Sequence, residues 1–138
     1  MPTLRIPTDK GTDRELFEKI RIADLRDWVM SAACNSDSDG LHAGHAYTLS
    51  AAMEFIDEKG KHWELVRMRN PWARETYTGP WNDHDERWTL PIRRHLKFID
   101  RDDGTFWMPL ELFRKRFNAF YLGMYQNWQV NRWYVGPK

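Results

Sequence analysis

The sequence predicts a β-rich α+β domain, with antiparallel sheets and two or more helices. Three features point there. Ala46 to Ser50 and Trp63 to Arg69 are runs of apolar, aromatic and β-branched residues suited to strands, and Asp57-Glu58-Lys59-Gly60 between them is a turn signal. Leu16, Ile20 and Ala23 recur at helical spacing after Asp13, a residue that caps helices. Pro109 suits the first turn of a second helix running to about Phe117.

Taken in order, residues 1–12 read as an irregular lead-in, because Pro2, Pro7 and Gly11 oppose regular structure. Residues 13–138 read as one domain. Its first helix runs from Asp13 to about Arg26, and Trp28 to Cys34 follows as a strand. Asn35 to Gly40 is a polar loop. In the Trp63 strand, Val66 and Met68 share one face while Arg67 and Arg69 share the other. Arg74 to Trp88 is a long loop rich in Gly, Pro, Asn and Asp. Thr105 to Met108 forms a short strand, and Asn118 to Val135 adds one or two more. These elements pack as helices against antiparallel sheet.

Two short strings carry chemistry: Gly44-His45-Ala46-Tyr47 and Arg69-Asn70-Pro71-Trp72. A thiol attacks an amide as thiolate, so a neighbouring imidazole must take its proton and return it to the leaving amine. A third group fixes that imidazole, and an Asn carbonyl can serve. Proline holds Asn70 extended, and the Trp72 indole can shield a His45–Asn70 hydrogen bond. In an antiparallel pair, the start of one strand lies beside the end of the next, so residues 25 positions apart come together.

With these strings in place, the chain resembles the second, β-rich subdomain of the calpain protease core, which carries the catalytic His and Asn. Leu65 to Trp72, Tyr77-Thr78-Gly79-Pro80-Trp81-Asn82-Asp83 and Asp102-Asp103-Gly104-Thr105-Phe106-Trp107-Met108 match in order and approximate spacing, and Glu15 to Ile20 matches more loosely. The resemblance spans roughly Asp13 to Met124. It implies a calpain-like thiol endopeptidase lobe with His45 as base and acid, Asn70 as orienter and Trp72 as shield. The nucleophile belongs to the other subdomain, so this chain is expected to be inactive alone. The alternative is a calpain-like pseudoprotease module that packs or docks in a larger assembly.

The resemblance also implies a calcium site, at Asp83, Asp103 and the carbonyl of Arg101. Calcium wants six to eight oxygens, several of them from carboxylates. Thr76 and Thr105 stand where the family usually has glutamates, and Arg74 adds positive charge. Weak or absent calcium binding is therefore expected, with Asp83, Asp85, Asp100, Asp102 and Asp103 read as solvated loop acids.

Composition narrows the remaining classes. The chain has 138 residues and formal net charge +1, so no strong pull toward nucleic acid or anionic membrane is implied. No apolar run approaches the roughly 20 residues of a membrane span, and no secretory pattern opens the chain. The single Cys34 excludes an intrachain disulfide and fits a reducing compartment, so a cytoplasmic or cytoskeleton-associated location is expected. Expected partners are a nucleophile-bearing lobe or another protein chain, and protein substrates in an active assembly. Cys34 itself reads as a small buried residue, because nucleophiles of this class lie about 130–150 residues before the histidine in papain-like enzymes. Of eight tryptophans, Trp81, Trp88, Trp107, Trp128 and Trp133 are assigned to packing.

Overall fold

A computed structural model describes residues 3–71, 76–98 and 103–123. Six strands form one sheet: β1 (Thr3–Pro7), β2 (Val29–Cys34), β3 (Ala46–Ile56), β4 (His62–Arg69), β5 (Thr105–Pro109) and β6 (Phe117–Gly123). Their order is β1-β6-β2-β3-β4-β5, and every neighbouring pair is antiparallel. Three helices accompany them among the described residues: α1 (Asp13–Leu25), α2 (Leu90–Leu96) and α3 (Leu110–Arg116). The β-rich α+β reading holds, with a single antiparallel sheet.

The lead-in is a correction. Residues 3–7 form β1, paired with β6 from Thr3 opposite Gly123 to Pro7 opposite Ala119. Proline is tolerated there because β1 is an edge strand. Thr8, fully buried, then ties the lead-in to the end of α3 by donating to the Phe117 carbonyl. Helix α1 starts at Asp13 as expected, but Asp13 is its first residue and not its cap. Thr12 is the N-cap, accepting from the Glu15 amide while the Glu15 carboxylate accepts from the Thr12 amide at 2.8 Å.

Alternation along the strands divides the domain into two cores. On one face Tyr47, Leu49, Val66, Met68, Phe106 and Met108 meet Phe17 and Ile20 of α1 and Phe113 of α3. Full burial of each such large apolar side chain stabilises by about 1.5–3 kcal/mol before entropy is subtracted. The other face carries Ala51, Leu65 and Trp107, covered by Trp81, Trp88, Ile92 and Leu96. A bulge between Leu49 and Ala51 keeps the alternation on both sides of the Ser50 position. Trp81, Trp88 and Trp107 are buried as the packing assignment requires, whereas Trp128 and Trp133 lie outside the described residues.

Candidate active site

The histidine sits where a loop enters β3. Gly44 takes a left-handed φ of 75°, and its amide donates to the Cys34 carbonyl at 2.8 Å. The His45 amide donates to the His42 carbonyl at 3.0 Å, while the His42 amide donates to the Tyr47 hydroxyl at 3.1 Å. The Tyr47 ring stands edge-on to the His45 ring, centroids 5.0 Å apart. His45, one residue before β3, lies against the Tyr47 ring on the face that α1 and α3 cover.

Asn70 directly follows β4, continuing the alternation of Val66 and Met68. It is fully buried, and its amide donates to the Gly104 carbonyl at 2.9 Å. His45 Nε2 lies 2.9 Å from Asn70 Oδ1. The Asn70 Nδ2 donates to Thr76 Oγ1 at 3.4 Å, which is consistent with Oδ1 facing the imidazole. An Asn carbonyl only accepts, so this contact assigns the imidazole proton to Nε2 and makes Nδ1 the basic nitrogen of the ring. Tyr47 and Thr76 are the contacts that the sequence reading did not assign to this pair. The alternation of β3 was the available signal for Tyr47.

The loops around the pair are fastened to each other. The Thr78 amide donates to the Asp39 carbonyl at 2.8 Å, and Asp39 accepts from Arg116 Nε at 2.9 Å. Gly40 meets this segment so closely that a Cβ there would stand 1.8 Å from the Thr76 carbonyl oxygen. Trp72, Arg74 and Arg101 lie outside the described residues.

Cys34 is nearer to His45 than its reading from sequence implied. The β2–β3 ladder ends at Ala33 opposite Ala46, and just beyond it the Cys34 amide donates to the His45 carbonyl at 3.3 Å. Its side chain is nevertheless buried, and the thiol donates to the Ser36 carbonyl at 3.0 Å. Burial pushes the thiol pKa up, which opposes thiolate formation.

The acids assigned to calcium separate. Asp83 is buried, 4% exposed, which corrects its reading as a solvated loop acid. Asp85 is likewise built in: it accepts the Trp81 amide at 2.7 Å and Arg87 Nη1 at 2.6 Å. Asp103 Oδ1 accepts the Thr105 amide at 3.0 Å. Beside Asp103 and Thr105 opens a cavity whose charged lining is otherwise Arg67, Arg69 and Lys97. Among the described residues no other carboxylate reaches it. This donor set does not fit a calcium ion.

Residues 2–123 match the family model described as the calpain family cysteine protease. The chain belongs to the calpain family. It is 27% identical to calpain-5 of Mus musculus across 92% of the chain and 24% of that protein. It is 37% identical to calpain-9 of Rattus norvegicus across 57% of the chain and 12% of that protein. With the calpain-1 catalytic subunit of Mus musculus it shares 34% identity across 71% of the chain and 13% of that protein. The chain thus spans about a quarter or less of the relatives it matches. The calpain family is generally calcium-dependent. Among the described residues no helix is long and apolar enough to cross a membrane.

Proposed function

We propose that this chain is the His/Asn-bearing lobe of a calpain-like thiol endopeptidase. The observation that carries the reading is the 2.9 Å contact between His45 Nε2 and Asn70 Oδ1. In an assembled protease, a cysteine from another lobe places its thiol at His45 Nδ1. The imidazole takes the thiol proton, and the thiolate sulfur bonds to the substrate carbonyl carbon. As the C–N bond breaks, the imidazolium returns that proton to the departing amine. Asn70 keeps the ring and its tautomer fixed throughout. Trp72, next after Pro71 in the chain, is assigned the shielding role that the family motif gives it. No step is routed through calcium, because Arg67, Arg69 and Lys97 line the cavity beside Asp103.

Alone, the chain is inactive in this reading, because its one thiol is buried and hydrogen-bonded to a carbonyl. The test is cleavage of casein under reducing conditions, by the chain alone and after addition of a calpain lobe that carries the cysteine. The expected result is no turnover alone and turnover on mixing, lost in His45→Ala. Turnover by the isolated chain that disappears in Cys34→Ala overturns the assignment. Absence of turnover on mixing, with the two lobes shown to associate, favours the second reading, a calpain-like docking module. The neutral Thr76 and Thr105 and the basic cavity are the features that favour that reading.

A further inference from the structure

We propose that the cavity bounded by Arg67, Arg69 and Lys97 binds an oxyanion, a phosphate monoester group. It opens on the sheet face opposite His45 and has a volume of about 310 Å³. Among the described residues, three cations and one carboxylate, Asp103, line it.

The cations are arranged by the sheet. Arg69 lies opposite Thr48 on β3 and opposite Thr105 on β5, so two hydroxyl residues flank it in one row and line the same cavity. One row on, Arg67 pairs with Trp107. The bulge brings Ser50 to Arg67, whose Nε donates to Ser50 Oγ at 2.9 Å. The Arg67 guanidinium also lies 5.7 Å from the Trp107 ring centre. Fixed at Nε and against the ring, Arg67 keeps its terminal nitrogens available for a ligand. Lys97 comes from above, on the left-handed residue that closes α2, at φ 55°. Among the described residues neither Arg69 nor Lys97 has an ion-pair partner.

A guanidinium immobilised by packing, a second arginine on a strand between two threonines and an ammonium together suit a tetrahedral dianion. Phosphate oxygens accept from guanidinium forks and hydroxyls alike. A cation would be repelled by the same groups, so this is the chemical inverse of a calcium site. The inference stands apart from the His45–Asn70 pair, which lies on the other face.

The probes are inorganic phosphate and a phosphoserine peptide, titrated into the full chain by calorimetry at constant ionic strength. Saturable binding of either probe is expected. Arg69→Gln and Lys97→Gln should each weaken it about tenfold, the scale of one lost charge-assisted contact. Both side chains are exposed, so the variants keep the fold, which thermal melts will verify. Arg5→Gln, on the edge strand β1, should bind like the parent. A phosphopeptide tighter than free phosphate identifies a polypeptide source, and equal affinities identify a free phosphate. No saturable binding up to about 10 mM, or equal binding by folded Arg69→Gln, Lys97→Gln and parent, overturns the proposal.

Discussion

The two faces of the sheet are built from alternate residues of the same strands and have opposite characters. Val66, Met68, Phe106 and Met108 turn to a continuous core under α1 and α3, which ends at the His45–Asn70 pair. Leu65 and Trp107 turn to a smaller aromatic core, and Arg67 and Arg69 continue that face as an open basic cavity. The difference lies in the cover. Two helices cap the first face. A loop and the short α2 cap the second, held by contacts such as the Trp81 amide on Asp85 and the Trp88 indole on the Asn82 carbonyl at 2.9 Å. The fixed contact between His45 and Asn70 sits at the helix-covered end, and the polar remainder of the other face stays open to solvent.

The strongest way to break this comparison is to excavate each core. Phe106 is stacked on Tyr77 with centroids 4.9 Å apart, and Trp81 stands edge-on to Phe55, Trp63 and Trp88. Both are fully buried. Phe106→Ala and Trp81→Ala are each expected to cost about 3–5 kcal/mol in urea unfolding. Trp81 additionally sits in the left-handed region, at φ 68°, so its loop is specified by packing and by Asp85 rather than by local preference. A cost for Trp81→Ala below about 1 kcal/mol would mean that the second face is only a loosely covered surface.

That contrast also explains what was legible in the sequence. The β3–β4 pair could be read because its alternation and its Asp57–Gly60 turn are local, and with it came the meeting of His45 and Asn70. The opposite faces of Val66/Met68 and Arg67/Arg69 followed from the same period of two. Strand β1 could not be read, because its partner β6 is remote in the chain and Pro7 masks an edge strand. Helix α2 was hidden inside a polar stretch. Its signals were Thr89 at the N-cap, Pro91 in the first turn and the Ile92–Leu96 spacing. The burial of Asp83 and the backbone hydrogen bond between Cys34 and His45 are tertiary facts with no local signature.

A smaller effect separates the helix-covered face from the rest. Arg14 of α1 reaches across to Glu54 on β3 at 2.7 Å and to Glu64 on β4 at 3.1 Å, and His62 also pairs with Glu54 at 2.9 Å. The Arg14 and His62 contacts hold the Glu54 carboxyl at about 2, below its ordinary 4.5. A depressed carboxyl stabilises the fold fully above its ordinary value and loses that contribution as pH falls toward the folded value. Glu54→Gln should therefore lower the melting temperature at pH 6, and the gap to the parent should close between about pH 4.5 and 2. The groups are exposed, so the gap is modest and shrinks with salt. A gap independent of pH would assign the loss to packing instead of charge.

The smallest expected effect concerns calcium, and it bears on the open face. Asp103 faces a cavity shared with Arg67, Arg69 and Lys97, and Thr105 supplies a neutral oxygen there. A ligand that binds only the folded state stabilises it by RT ln(1 + [L]/Kd), about 0.4 kcal/mol when its concentration equals Kd. A site of millimolar affinity then raises the melting temperature by roughly 2 °C at millimolar calcium. Melts with calcium against the same ionic strength of sodium chloride measure this directly. A rise of many degrees, abolished in Asp103→Asn, would show that the buried Asp83, Asp103 and backbone carbonyls outweigh the three cations. The open face would then be a calcium site, and the phosphate proposal would have to yield to it.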